Sequence, residues 1–193
     1  SRGEKESIVR LASAGVDFPP MTDLREDSFG LLIAYVVPGF LAVIQFADFA
    51  PSLHQWLAAH SDTAPTVAGF LFVTLASIGF GLTTSTIRWL FIDTLHHWTG
   101  IRAPKWSFRE LQPNIDAFLS VVQNHYRYYQ FYGNVLVVLF LGVLVGKGPG
   151  TALGLSTGQA ACLDVSLILL FTVASRDSLQ KYYVRSAEFL LRR

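Results

Sequence analysis

Residues 63–87, TAPTVAGFLFVTLASIGFGLTTSTI, contain no charged side chain, and the run stops at Arg88-Trp89. A bilayer core about 30 Å thick needs roughly twenty apolar residues in a helix, so this stretch is long enough to cross one. An arginine and a tryptophan at its end suit the membrane interface. Three further runs share its character. Residues 28–47 (SFGLLIAYVVPGFLAVIQFA) are free of charge. Residues 128–147 are flanked by tyrosines on one side and end at Lys147, and residues 156–176 are interrupted only by Asp164 before Arg176. The expected fold is an all-α integral membrane protein, a four-transmembrane-helix bundle with spans at about 28–47, 63–88, 128–147 and 156–176.

Composition agrees with that reading. Of 193 residues, 51% are apolar and only 15% charged, and the mean hydropathy is +0.40, unusual for a water-soluble domain. A net charge of +1 gives no global excess for nucleic acid or an acidic substrate. The lone Cys162 excludes an internal disulfide and any CxxC-type metal site. SRGEKESIVR at the start has no apolar run behind it and does not read as a cleavable signal.

Lys and Arg accumulate in cytoplasmic loops, and here their distribution is lopsided. Arg2, Lys5, Arg10 and Arg25 precede the first span. Arg88, Arg102, Lys105, Arg109 and Arg127 lie between the second and third, and Arg176, Lys181, Arg185, Arg192 and Arg193 follow the fourth. Only Lys147 falls elsewhere. The expectation is an inner-membrane, multi-pass protein with both termini cytoplasmic.

Around the spans, residues 1–27 read as a cytoplasmic N-terminal arm and 89–127 as a cytoplasmic segment inside the transmembrane domain 28–178. Residues 179–193 read as a cytoplasmic helical extension. The second span should run on through FIDTLHHW to Gly100, and IRAPKW should be a loop because Pro104 disfavours helix before it. Ile115, Phe118, Leu119 and Val122 keep helical spacing and lead without a breaker into the third span. The fourth continues likewise past Arg176. Pro38-Gly39 should kink the first.

Asp164 is the most informative side chain, because a carboxylate within a spanning helix is costly unless neutral, paired or facing water. Candidate partners are Lys147, Gln45 and Asp48; otherwise the residue sits at the outer interface. Arg88, Gln45 and Asp164 are the intramembrane functional candidates, with Arg88 expected to snorkel or to pair with Asp93, Asp177 or Glu188. Ser77, Gly81 and Thr84 form a small-residue face on the second span. It suits packing within the chain, an oligomer seam or a pore lining. Asp93 and His97, four apart, and His125 are candidate metal ligands, although two ligands on one helix do not make a site and interfacial hydrogen bonding accounts for them more simply.

Gly154-Leu155-Ser156-Thr157-Gly158 matches the GxSxG pattern but lacks the preceding strand, and no histidine follows His125. No cofactor is expected. The partners expected are the lipid bilayer, further copies of the chain and a cytoplasmic protein, with no nucleic acid. The leading functional expectation is a small homo-oligomeric, non-enzymatic, bacterial membrane sensor or effector, or a permeation pathway, coupled to cytoplasmic helices, with phage defence as one setting. The alternatives are a membrane-embedded lipid-modifying enzyme with a His/Asp site at the cytoplasmic interface, and an accessory subunit of a larger complex.

Overall fold

The structure is a computed structural model that describes residues 29–57, 67–105 and 107–191. Among these every regular element is helical. The expected arm at 1–27 lies outside the described residues, as do the first residues of the second run. The helices are α1 (Phe29–Phe49), α2 (Pro51–Leu57), α3 (Val67–Trp98), α4 (Phe108–Leu111), α5 (115–144), α6 (Pro149–Ala152) and α7 (Thr157–Leu191).

Three helices, α1, α3 and α7, are long and apolar enough to cross a membrane, one fewer than the sequence suggests. The exception is α5, which covers the expected third span and is continuous from residue 115, as its lack of breakers implies. Arg127, Gln130 and Asn134 lower its hydropathy. Packing explains why it carries them. α5 touches α1, α3 and α7, and Tyr129, Gln130 and an unbroken run from Gly133 to Leu139 are buried. Gln130 and Asn134 are buried against these helices with hydrogen-bond partners in α1 and α3, so neither has to face lipid unpaired. The outward faces are instead carried by its neighbours, with Phe70, Leu75, Leu82, Leu169, Leu170 and Val173 all more than half exposed.

Cross-helix contacts fix the directions. Asn134 meets Ala34 and Gln45 meets Lys147, so α1 and α5 are parallel. Tyr35 lies against Gly81 and Gly39 against Ser77, so α3 runs antiparallel to α1. α7 is antiparallel to α5, with Ser175 near Gly133 and the rings of Tyr182 and Tyr126 packed at 4.9 Å. One core cluster joins Ile101, Tyr129, Leu179 and Tyr182, and another joins Val43, Ala47 and Leu53 near the opposite end of α1.

Three π turns interrupt the long helices, at Leu32–Val36, Trp89–Asp93 and Val122–Tyr126. Such turns mark local departures from regular α geometry and recur at functional sites. The first precedes Pro38, where the sequence predicts a kink. Proline has no N–H to give to the carbonyl four residues earlier. That carbonyl belongs to Ala34, and it accepts a hydrogen bond from Asn134 Nδ2 at 2.7 Å.

Candidate functional site: an arginine-centred polar core

Arg88 closes the regular α-helical stretch of α3 and is only 3% exposed. Its stem passes Gly133 of α5, where a Cβ would collide with Arg88 Cδ and Cγ, so glycine opens the passage. The guanidinium then meets three partners. Nε donates to Asn134 Oδ1 at 3.1 Å, Nη1 donates to Asp93 Oδ1 at 2.9 Å, and Cζ lies 4.9 Å from the centre of the Tyr129 ring. The Tyr129 hydroxyl donates to the same Asp93 oxygen. Charge, amide, carboxylate and ring therefore form one network between α3 and α5, extended to α1 through Ala34.

The π turn makes the Arg88–Asp93 pair possible. In an α-helix neighbours on one face lie three or four residues apart. Arg88 and Asp93 are five apart. A π turn closes i to i+5, and the turn Trp89–Asp93 brings Asp93 back beneath Arg88. Both side chains are largely withdrawn from solvent, at 4% and 16% exposure. Taking either charge from water without the other is strongly unfavourable.

Two histidines surround this core. His96 Nε2 is 3.0 Å from the Ser175 hydroxyl, and both residues are buried. His97 Nε2 is 3.1 Å from the Tyr183 hydroxyl, and the two rings stack at 6.0 Å. Arg176 donates to the Thr99 hydroxyl at 2.6 Å and to its carbonyl at 3.0 Å, tying α7 to the end of α3. Gln130 Nε2 donates to the Tyr35 hydroxyl at 2.9 Å, a further tie between α5 and α1.

The remaining sequence candidates are distributed elsewhere. Ser77, Gly81 and Thr84 are buried within the chain, with the backbone of α1 at Tyr35 and Gly39 lying directly on the small-residue face. Asp164 is 7% exposed, and its Oδ1 accepts a hydrogen bond from the Gly150 amide at 2.8 Å. Lys147, one of its expected partners, instead pairs with Asp48, while Gln45 Nε2 donates to the Lys147 carbonyl at 2.8 Å. Asp93 is committed to Arg88 and Tyr129, His97 to Tyr183, and His125 lies in the Val122–Tyr126 turn of α5. No group of three or more potential metal ligands occurs among the described residues. Ser156 of the GxSxG stretch bonds Gln159 Oε1 through its hydroxyl at 2.8 Å, the S-x-x-Q pattern of a helix start.

Asn134, Tyr129 and Ser175 belong to the core, yet the sequence does not single them out. Asn134 carries a readable signal, an amide beside the apolar run VLVVLFL, where an unpaired polar group is costly. Comparison with protein-family models, curated proteins and solved structures finds no match for the chain.

Proposed function

We propose that this chain is a small, non-enzymatic membrane sensor or effector that self-associates, and that release of its Arg88 core opens a permeation path. In this reading four helices cross the bilayer, α5 among them, and both termini face the cytoplasm. The ends of α3, α5 and α7 then extend beyond the membrane on that side. The alternating helix directions and the lopsided Lys/Arg distribution support this arrangement.

The observation that carries the reading is the withdrawal of Arg88 from solvent into a network shared by two helices. A guanidinium taken from water without a partner costs several kcal/mol, and an ionisable group sealed within a membrane bundle marks a functional position by default. Here the cost is offset only while Asp93, Tyr129 and Asn134 stay in place. Movement of α3 relative to α5 would take Tyr129 and Asn134 away from Arg88 and Asp93, and in this reading the open arrangement is the one with that network broken. With α1 seated on Ser77 and Gly81, the single chain holds itself closed along that face. The lipid-enzyme alternative needs free His97 and Asp93, and both are engaged with other side chains.

Ion release from liposomes containing the purified protein tests the reading. Wild-type protein should retain a trapped ion, and Asp93→Ala should release it. Equal retention by both, with the variant still inserted, would contradict it.

A further inference from the structure

The outward face of α3 does not change character at Arg88. Leu75 and Leu82 stand out from it before that residue, and Trp89, Leu90, Phe91 and Trp98 after it, the last four 55–86% exposed. The two charged side chains of the helix, Arg88 and Asp93, are turned inward and bond each other. The exposed hydroxyls of Thr83, Thr86 and Thr94 each donate to the carbonyl four residues earlier, so none presents an unpaired donor to lipid.

The neighbouring helices mark where that face meets the headgroups. His97 stacks on Tyr183, Tyr182 packs on Tyr126, and the Arg127 side chain lies against Gly30 at the start of α1. These groups share one level, rich in tyrosine and with Arg127 and Lys181 beside it, the composition of a cytoplasmic membrane interface. Gly133, which the Arg88 stem passes, is six residues further along α5 than Arg127, so Arg88 lies about 9 Å inward of that level at 1.5 Å per residue. On α7, Ser175 stands beside Gly133, and the charges that follow it lead outwards: Arg176 reaches to Thr99, and Asp177 pairs with Lys181. From Arg127 to the end of α5 at Leu144 is about 26 Å by the same rise, most of a hydrocarbon core about 30 Å thick.

We propose that the outer face of α3 from Trp89 to Trp98 is a lipid-contact surface of the cytoplasmic leaflet, with Trp89, Leu90 and Phe91 against acyl chains and Leu95 and Trp98 among headgroups. The hydrocarbon edge then crosses α3 near Thr94, six residues past Arg88. From Thr94 to Trp98 is about 6 Å, the depth of one headgroup layer. Continuity selects lipid over a protein partner. The face prolongs, without an exposed charge, the surface of α3 that fronts the bilayer, and it ends in a tryptophan at the level of the tyrosines. Arg88 and Trp89 are therefore not the interfacial pair that their order in the sequence suggests; the cation lies within the hydrocarbon layer, sealed inside the bundle. α3 extends only as far as the headgroups, whereas α5 and α7 run on. This placement rests on the membrane-spanning reading and not on a permeation path.

Single-tryptophan variants, the other tryptophans replaced by phenylalanine, test it in phospholipid vesicles carrying a nitroxide either at the headgroup or midway along the acyl chain. Trp89 fluorescence should be quenched more by the mid-chain nitroxide, and Trp98 fluorescence more by the headgroup nitroxide. Their depths should differ by about 13 Å for a helix tilted by about 20°. A polarity-sensitive fluorophore on Phe91→Cys or Trp98→Cys, each combined with Cys162→Ala, reads the same difference without removing the remaining tryptophans, and should emit further to the blue from the first. Trp89 quenched best from the headgroup, with Trp98 open to aqueous iodide, would place the edge at Arg88 and overturn the proposal. So would quenching of neither tryptophan by lipid while the protein withstands alkaline washing, which would mean that protein covers the face. Loss of the protein from the vesicles on washing would instead reject the membrane reading itself.

Discussion

Arg88 and Asp93 are five residues apart on one helix, yet they form a 2.9 Å ion pair because a π turn separates them. Removing one member of such a pair leaves the other charge uncompensated, which costs about 3–5 kcal/mol, whereas replacing both by apolar groups is often neutral. Asp93→Ala should therefore destabilise the protein by about that amount. Arg88→Met combined with Asp93→Leu should recover most of the loss. Thermal or denaturant unfolding in detergent of the two single variants and the double variant measures the coupling; additive losses would show that the pair does not act as a unit.

Gly39 and Gly81 bring the backbones of α1 and α3 together. A Cβ at Gly81 would overlap the Tyr35 carbonyl, and one at Gly39 the Ser77 carbonyl. Neither neighbour is a flexible side chain, so the helices themselves must separate. Gly39→Ala and Gly81→Ala should each lower the unfolding temperature or the yield of folded protein. Gly79→Ala meets nothing within 4 Å, and should be neutral or slightly stabilising through helix propensity. Melting curves for the three variants decide it, and equal behaviour would contradict the packing.

Asp164 holds the hairpin before α7 by accepting the Gly150 amide. Asparagine keeps an acceptor oxygen, so Asp164→Asn should retain most of the stability. Asp164→Ala leaves the amide without its partner and should cost about 1–3 kcal/mol. Unfolding of both variants measures the difference. A loss as large for asparagine as for alanine would show that the charge, and not the hydrogen bond, is required.

His125 links stability to pH in the stretch of α5 that precedes the expected span. Burial lowers its pKa below the ordinary histidine value, and the nearby Arg185 and Lys181 act in the same direction, with Asp177 opposing them. The unfolded chain therefore takes up a proton first as pH falls. The contribution to stability is complete above about pH 6.5 and declines as pH drops from there towards the folded value. Unfolding measured between about pH 7.5 and 5 should show this slope, and His125→Leu should make it shallower, the remainder coming from His96, whose pKa burial lowers to about 4. An unchanged slope in the variant would assign the effect to other groups.

The helices are legible in the sequence, and their partners much less so. Long apolar runs, uncharged in α1 and α3 and broken only by Asp164 in α7, locate these three helices, because hydropathy is local along the chain. α5 is legible through its flanking aromatics and its lack of breakers, although its polar residues make sense only once three helices cover it. Asp93 is one of three carboxylates that the sequence offers Arg88, beside Asp177 and Glu188, and no periodicity pattern announces the π turn that selects it. Asp164 likewise has a backbone amide for its partner. That choice depends on the path of a Gly-rich hairpin, which residue identity does not encode. The S-x-x-Q start of α7 is readable, but it overlaps GxSxG and is masked by it.

Whether α5 crosses the bilayer is tested most directly by the sides on which its two ends lie. With Cys162 replaced by alanine, single cysteines at Arg102 and Leu153 flank α5, and both native side chains are exposed. In sealed cells, a membrane-impermeant thiol reagent added outside should label Leu153→Cys at once, and Arg102→Cys only after the membrane is opened. Labelling of both from the same side would place α5 wholly on one side of the membrane and contradict the four-crossing account.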